Sequence, residues 1–492
     1  MSTSIRYLRL YLHRPAKADG AAGGREPIGY LSQYGDILRV SFDESYIRNP
    51  LRPTLSLSFQ GADEAATQQI LASARDARLV RTDGRWPVYF QNLLPEGHNR
   101  ERLAHERGCS PDDEFELLAA AGHDLMGALE VEPVPAQDGI PDVVRHWHTT
   151  QGLDVLEPGF VEYPVEDAAS LPGVVTKFSA VQDGRRYTVH RKGAAGSVIL
   201  KLPTTAHPDL VANEFTGYQL CKALGLHCAD VRVITRAEAD LPDAVPFNEI
   251  LAVQRFDHLP GGARVHMEEF NQVLGYTPRQ KYGKTHGKGA LQDWATMLRV
   301  LNRLSRQPVL DTREFLARMV AFILMGNTDA HLKNWALVYP DGRVPQLAPV
   351  YDPVCVAAFF EGVPDQQYAV NRAIDNTLRA LTWDDMEGLM KSAGLLRVPR
   401  HLALLRETQP RQGMIHIENR HGTDRAITQP QVIGSRINDH ALRPAHFLGG
   451  LLSLGQVAAA DQQRDVGVGG TQGFGRTVAD GDGAAQKQNW MN

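Results

Sequence analysis

A chain of 492 residues that is 43% hydrophobic and 22% charged is too long for one ordinary domain and is globular in composition, so two or three cores are expected. A formal net charge of −5 excludes nucleic-acid binding by bulk electrostatics, while leaving room for a local basic patch. Cys109, Cys221, Cys228 and Cys355 are too scattered for a zinc site and too few for a disulfide framework, so reduced, mostly buried thiols are expected.

The opening "MSTSIRYLRLYLHRP" alternates as a strand does and lacks the apolar core of a signal peptide. The longest apolar run, Met319 to Met325, is far short of the roughly 20 residues that span a bilayer, and a cytoplasmic location without membrane contact is expected. Through the first 60 residues "YLRLYL", "IGYLSQ", "ILRVSF" and "TLSLSF" alternate between Gly, Pro and Asp turns, the pattern of an antiparallel sheet. From about Asp63 the period lengthens to helical spacing through "ATQQILASARDARLV" and "SPDDEFELLAAAG", where Ser110 and the acids after it form a helix start. Residues 1–130 therefore read as a small α+β subdomain. Residues 131–169, rich in Pro, Asp and Glu without periodicity, read as a linker.

Strands and helices resume over 170–258, followed by a helical segment over 259–405. Beyond it the character changes: no lysine lies between Lys391 and Lys487, and only "HFLGGLLSLGQVAAA" suits a helix. Residues 406–492 are expected to be a poorly ordered or loosely docked tail. There is no internal repeat.

An enzyme that moves the γ-phosphoryl group of ATP needs a cation on the α/β-phosphates, a carboxylate that orients the attacking hydroxyl, and oxygen ligands for Mg²⁺. Protein kinases supply these in a fixed chain order, and each piece occurs here in that order. "SVILKLP" (197–203) is a β-branched strand that sets Lys201 among apolar neighbours. "NEFTGYQLCKALGL" (213–226) opens a helix with Asn213 as N-cap and Glu214 as a candidate ion-pair partner for Lys201. "ILAVQRFD" (250–257) is a buried strand turning polar where a hinge would meet adenine. "GNTDAHLKN" (326–334) follows the core helix "FLARMVAFILM" and separates Asp329 from Asn334 by four residues, as in a kinase catalytic loop. "WALVY" (335–339), the turn "PDG" and the return "VPQLAPVYD" (344–352) form a hairpin that brings Asp352 beside Asn334 as a second Mg²⁺ ligand, with Lys333 as a phosphate-facing cation.

Each element alone has a plainer explanation: a snorkelling edge lysine, a chance Asp-x4-Asn, or a first-turn acid favoured by the helix dipole. The ordered set carries the inference. "YGKTHGKG" (282–289) fails as a P-loop because Pro278 stands where the first Gly is required, leaving a basic loop in which Thr285 is a solvated residue. "HWH" (146–148) lacks a third ligand for zinc.

The wording of these motifs resembles the HipA family of bacterial serine/threonine kinases, the toxin halves of toxin–antitoxin pairs. "GNTDAHLKNWAL", "VILKLP", "VQRFD" and "LAPVYD" resemble its kinase-domain signatures, and "VYFQNLLPEG" (88–97) and "AAGHDLMGALEV" (120–131) its N-terminal subdomain. The resemblance covers about residues 5–395. It implies an α+β, protein-kinase-like two-lobe fold with an N-terminal small α+β subdomain and a mainly helical C-terminal lobe. By that resemblance Asp329 is the catalytic acid–base, Asn334 and Asp352 hold Mg²⁺, and Lys201 binds phosphate. Gln254, Arg255 and Phe256 form the hinge over adenine with Asp257 near the ribose, while His331, Lys333 and Tyr351 belong to the nucleotide site. "SLPGVVTKFSA" (170–180) is similar to the family's phosphate loop, which makes Ser170 the autophosphorylation candidate, with Gly173 and Lys177 in the loop. The loop departs from the family at Val175 and Thr176, where Gln and Pro are common, and Pro172 stiffens it.

The resemblance further implies ATP and Mg²⁺ as cofactors, a translation component such as an aminoacyl-tRNA synthetase as protein substrate, and a small helix-turn-helix antitoxin that brings DNA contact only indirectly. Two alternatives remain: a catalytically weak relative acting mainly as an antitoxin-binding co-repressor, and a small-molecule kinase. "NLLPEG" and "GALEV" argue against the second, and retention of Lys201, Asp329, Asn334 and Asp352 argues against the first.

Overall fold

The computed structural model describes residues 4–15, 23–149, 157–171, 175–189, 194–242, 245–284, 291–359 and 383–395. The expected tail, Gly173 and Thr285 lie outside the described residues.

The alternating N-terminal segments form β1 (Ser4–His13), β2 (Arg25–Tyr34) and β3 (Ile37–Phe42), joined by β4 (Val80–Arg81), β5 (Leu129–Pro133) and β6 (Glu157–Pro158). The six strands pair in the order β4-β3-β2-β1-β5, with β6 added in parallel to β1. Leu8, Leu10 and Leu12 point to the core at the two-residue period of a half-buried strand. The register slips between Leu10 and Tyr11, so Ile28 is the extra residue of a bulge. Pro27 sits beside it, beyond the reach of β3, where its missing N–H breaks no ladder bond.

Helices α1 (Glu44–Arg48), α2 (Glu64–Leu71), α3 (Val88–Gln91), α4 (Gly97–Arg107) and α5 (Glu114–Ala120) follow the lengthened period. The segment expected as a linker instead carries α6 (Asp142–Thr149) and β6, and buries Ile140, Val144, Val161 and Ala168 against the N-terminal sheet. Its apolar residues are too few to show a period, yet each meets a surface already built by β1 and α5.

A second sheet holds β7 (Lys177–Asp183), β8 (Arg186–Thr188), β9 (Val198–Lys201), β10 (Val231–Thr235) and β11 (Glu249–Gln254), in the order β10-β11-β9-β7-β8, with α7 (Leu210–Ala223) packed on β10 and β11. Gly217 of α7 lies so close to the segment after Asp352 that a Cβ there would stand 1.7 Å from the Pro353 carbonyl oxygen. That approach explains a helix-interior glycine, which otherwise costs about 1 kcal/mol relative to Ala.

The third part is mainly helical: β12 (His266–Glu269), α8 (Phe270–Val273), α9 (Leu291–Leu304), α10 (Pro308–Leu324), β13 (Ala336–Tyr339), β14 (Gln346–Leu347) and α11 (Trp383–Ser392). Trp294, Phe315, Phe322 and Trp335 form its aromatic centre, with the rings of Phe315 and Trp335 4.8 Å apart. Each such buried side chain contributes about 2 kcal/mol, so α10 gives the following loop a rigid base. Of the cysteines, Cys221 is buried and the other three are half-buried, all as free thiols. No helix among the described residues is long and apolar enough to cross a membrane.

The N-terminal core does not close on itself. Met267, Ala336, Val338 and Ala348 of the third part belong to the same apolar cluster as Leu10, Phe42 and Trp86. Across this contact Glu268 is fully buried and receives the Ser56 hydroxyl at 2.6 Å, the Leu57 amide at 3.0 Å and the Tyr339 hydroxyl. Burial outweighs these donors and pushes its carboxyl up to about 7 from an ordinary 4.5. Between those values the folded chain holds a proton that the unfolded chain releases, so this group's contribution to stability falls as pH rises. Relative to wild type, Glu268→Gln should gain on the order of 3 kcal/mol between pH 5 and 8 in denaturant unfolding. A difference that stays flat across that range would refute the assignment.

Candidate active site

The antiparallel pairing of β7 with β9 sets Lys177 directly opposite Lys201, both buried. Two ammonium groups facing each other in a sheet repel, so anions must hold them there. Lys201 Nζ donates to Glu214 Oε1 at 2.6 Å and to Asp352 Oδ1. Burial works against its charge, but these carboxylates outweigh it and raise its pKa above the ordinary lysine value. Burial also works against the Asp352 charge, yet Lys201 and Lys177 draw its carboxyl down to about 2. Burial lowers Lys177, helped by Lys201 across the ladder and opposed by Asp352. Burial raises Glu214 despite Lys201. The result is two lysines and two carboxylates at one spot, with Asp352 at φ 54°, a left-handed conformation rare for a non-glycine residue.

The sequence expectation of a Lys201–Glu214 pair therefore matches the geometry. The helix start does not: α7 begins at Leu210, four residues before Glu214, and Asn213 lies inside it. Its side chain instead clamps the residues after Asp352, donating to the Cys355 carbonyl at 3.1 Å and accepting from the Cys355 amide at 2.8 Å.

The loop after α10 turns tightly. The Asp329 carbonyl accepts from the His331 amide at 2.7 Å and from Asn334 Nδ2 at 3.0 Å, so the Asn334 amide nitrogen is occupied and its carbonyl oxygen is the group left to offer a cation. The Tyr351 hydroxyl donates to the Lys333 carbonyl at 2.8 Å and ties the return strand to the loop. His331 is buried, and burial together with Lys281 and Lys333 holds its imidazole neutral, well below its ordinary pKa. Its Nδ1 is buried without a hydrogen-bond partner, which fits a site shaped for a ligand.

Four side chains expected at the nucleotide are bonded to protein groups. Lys333 Nζ donates to Glu269 Oε2 at 2.6 Å and to the Asn92 carbonyl at 3.1 Å, with Glu96 Oε1 at 3.5 Å, because the short turn at Leu332–Asn334 sends it toward the N-terminal subdomain and away from a phosphate-facing position. Arg255 binds Asp257 at 2.7 Å and Asp124 at 2.7 Å, and Asp257 accepts the Gly127 amide at 2.8 Å. These two side chains fasten the segment expected as the hinge to "GHDLMGA". Gln254 also turns inward, donating to the Ser197 carbonyl at 2.8 Å, while Phe256 packs its ring 5.7 Å from that of Tyr351.

Ser170 is fully buried; its hydroxyl donates to the Leu93 carbonyl and its amide to the Asp124 carbonyl at 3.0 Å. The residues that organise this region, Asn92, Glu96, Asp124, Glu269 and Tyr282, escaped the sequence reading. The one available signal was an isolated acid in an apolar run, as at Asp124 in "AAGHDLMGA". Among the described residues no three His, Cys, Asp or Glu side chains gather as a metal cage. Asn334 and Asp352 instead suit an ion such as Mg²⁺, which commonly takes one or two protein ligands and completes its shell with phosphates and water.

Residues 22–132 match the family model described as HipA N-terminal domain, and residues 169–412 that described as HipA-like C-terminal domain. The "Putative kinase Y4dM" of Sinorhizobium fredii is 34% identical over 377 residues, 75% of this chain and 84% of that protein. The serine/threonine-protein kinase toxin HipA of Shewanella oneidensis is 27% identical over 344 residues, 66% of this chain and 74% of that protein. A structure of the Shewanella oneidensis HipA, HipB and operator DNA complex matches with a TM-score of 0.53 at 20% identity, covering 93% of this chain and 99% of that one. That last likeness speaks to the α+β, kinase-like fold alone. With both halves of the family pattern matched in order and a relative aligned over three quarters of its length, this chain belongs to the HipA family.

Proposed function

We propose that the protein is an ATP- and Mg²⁺-dependent protein serine/threonine kinase, the toxin of a toxin–antitoxin module, acting on a translation component such as an aminoacyl-tRNA synthetase. The observation that carries this reading is the buried meeting of Lys201, Glu214 and Asp352. Two opposed lysines and two carboxylates are costly to bury together, and a phosphate-binding role gives a reason to keep them there. Lys201 and Lys177 would hold ATP phosphates, and Asn334 and Asp352 would hold Mg²⁺. When bound, Mg²⁺ neutralises charge on the phosphates. Asp329 would accept the proton of the attacking hydroxyl. The hinge backbone at Gln254–Phe256 would meet adenine, with Tyr351 closing the site.

The partner proposed is a small helix-turn-helix antitoxin that brings DNA contact indirectly; the HipB and operator DNA named for the Shewanella complex support it. Ser170 is the proposed autophosphorylation site. Its hydroxyl is a donor to a carbonyl in a fully buried seat, whereas a phosphate carries about −1.5 to −2 charge and only accepts. The modified residue would have to leave, taking the phosphate loop with it.

The test is incubation with γ-labelled ATP and Mg²⁺. Wild type should label itself and an aminoacyl-tRNA synthetase panel, and Ser170→Ala should lose the self-label while still labelling the acceptor. Wild type that binds ATP and labels nothing would defeat the reading.

A further inference from the structure

Asp329 is half-buried, and one oxygen of its carboxylate is already engaged. The phenolic hydroxyl of Tyr282 donates to Asp329 Oδ1, and the Tyr282 ring stands edge-on to His331, with centroids 5.4 Å apart and planes at 81°. Neither contact is accidental to a loose loop. The Lys281 carbonyl accepts from the Leu332 amide at 2.9 Å, so the segment is hydrogen-bonded to the loop it covers. Upstream, the Tyr276 carbonyl accepts from Asn92 Nδ2 at 2.9 Å and Asn271 Nδ2 at 3.0 Å, and the Thr277 carbonyl from Asn271 at 3.0 Å. Lys281 reaches Glu96 at 3.5 Å. The segment from Tyr276 to Gly283 is thus pinned both to the catalytic loop and to "NLLPEG" of the N-terminal subdomain.

A carboxylate orients an acceptor through its oxygen lone pairs, and one of those on Oδ1 here receives the tyrosine proton. We infer that Tyr282 is an acceptor-site residue that sets specificity: its hydroxyl occupies the place on Asp329 that a substrate hydroxyl must take, so that water is refused and only a protein segment able to displace the phenol is phosphorylated. A phosphotransferase must suppress transfer to water, which is small and present at high concentration, and occupation of the general base by a resident hydroxyl achieves this without closing the nucleotide site. Because Asn92 and Glu96 hold the segment, the N-terminal subdomain sets how readily Tyr282 gives way.

This inference rests on the kinase reading, and hydrolysis of γ-labelled ATP by the full chain, with water as acceptor, separates the two. Tyr282→Phe keeps the ring against His331 and removes the donor. Phosphate release should rise about tenfold, as expected for loss of one hydrogen bond to a charged group, with KM for ATP within about twofold of wild type. Tyr282→Leu should move in the same direction, and the gain should vanish in Tyr282→Phe/Asp329→Asn. Release at or below the wild-type rate in both single variants overturns the inference, as does phosphate mapped to Tyr282 in wild type, since the phenol would then be an acceptor. If instead Asp329→Asn hydrolyses ATP as fast as wild type, the kinase assignment of Asp329 fails.

Discussion

Asp329→Asn is expected to lower phosphoryl transfer to protein by about 10²–10⁴-fold with ATP affinity within about twofold of wild type. The substitution is nearly isosteric, and the contacts that shape the loop use the Asp329 backbone: its carbonyl bonds the His331 amide and Asn334 Nδ2, and its amide donates to Asn327 Oδ1 at 3.2 Å. None of these backbone bonds depends on the carboxylate, and the Asn side-chain oxygen can still accept from Tyr282. Lys201, Glu214 and Asp352 are also untouched, so nucleotide binding should survive. What disappears is the group proposed to take a proton from the acceptor. Single-turnover label transfer measures the first quantity and titration calorimetry with ATP the second. Transfer that persists in the variant would move the acid–base role away from Asp329, and loss of ATP binding would make Asp329 a structural residue.

Asp124→Ala should lower stability by about 3–5 kcal/mol, the usual consequence of removing one partner of a buried charge pair. Asp124 is fully buried; it accepts from Arg255 Nη1 at 2.7 Å, the Ser179 hydroxyl at 2.6 Å and the Gly196 amide at 3.2 Å. Its loss strands a guanidinium that is 3% exposed, leaving only Asp257 to balance it. The neighbouring His258 does not help, since burial holds its imidazole at about 3, uncharged at neutral pH. The same three bonds connect the N-terminal subdomain to the hinge, to β7 and to the turn before β9, so ATP affinity should fall together with stability. Denaturant unfolding of Asp124→Ala, Arg255→Met and the double variant forms the decisive cycle. With Arg255 replaced by an apolar side chain, removal of Asp124 should cost much less, and strictly additive losses would show that the pair is not the fastener.

How much of this was legible beforehand differs by residue. The β-branched run around Lys201, the helix carrying Glu214, the apolar helix before Asp329 and the short hairpin to Asp352 are local patterns, each set by periodicity or turn chemistry within a few residues. Of these, Lys201, Glu214 and Asp352 meet in the folded chain. Lys333 shows the limit. Its neighbours in sequence suggest a phosphate cation, but its charge is taken by Glu269 and Glu96, 64 and 237 positions away along the chain, and no local signal reports an acid at that distance. The segment 131–169 failed for a similar reason: it has no period of its own and is ordered by surfaces that other elements build.

The amino-acid sequence by itself determined the strands of the N-terminal sheet and around Lys201, the kinase-like order of Lys201, Glu214, Asp329, Asn334 and Asp352, and membership of the HipA family, because these depend on short-range patterning and on motif wording. Tertiary structure alone decided that Lys177 faces Lys201, that Arg255 and Asp257 turn from the hinge toward Asp124, that Ser170 is sealed under Leu93, and that Tyr282 rests on Asp329. Each of these is a partnership between buried polar groups far apart in the chain. A buried charge or hydroxyl must find a partner, but which partner depends on how the three parts pack, and packing is a property of the assembled surfaces rather than of any segment.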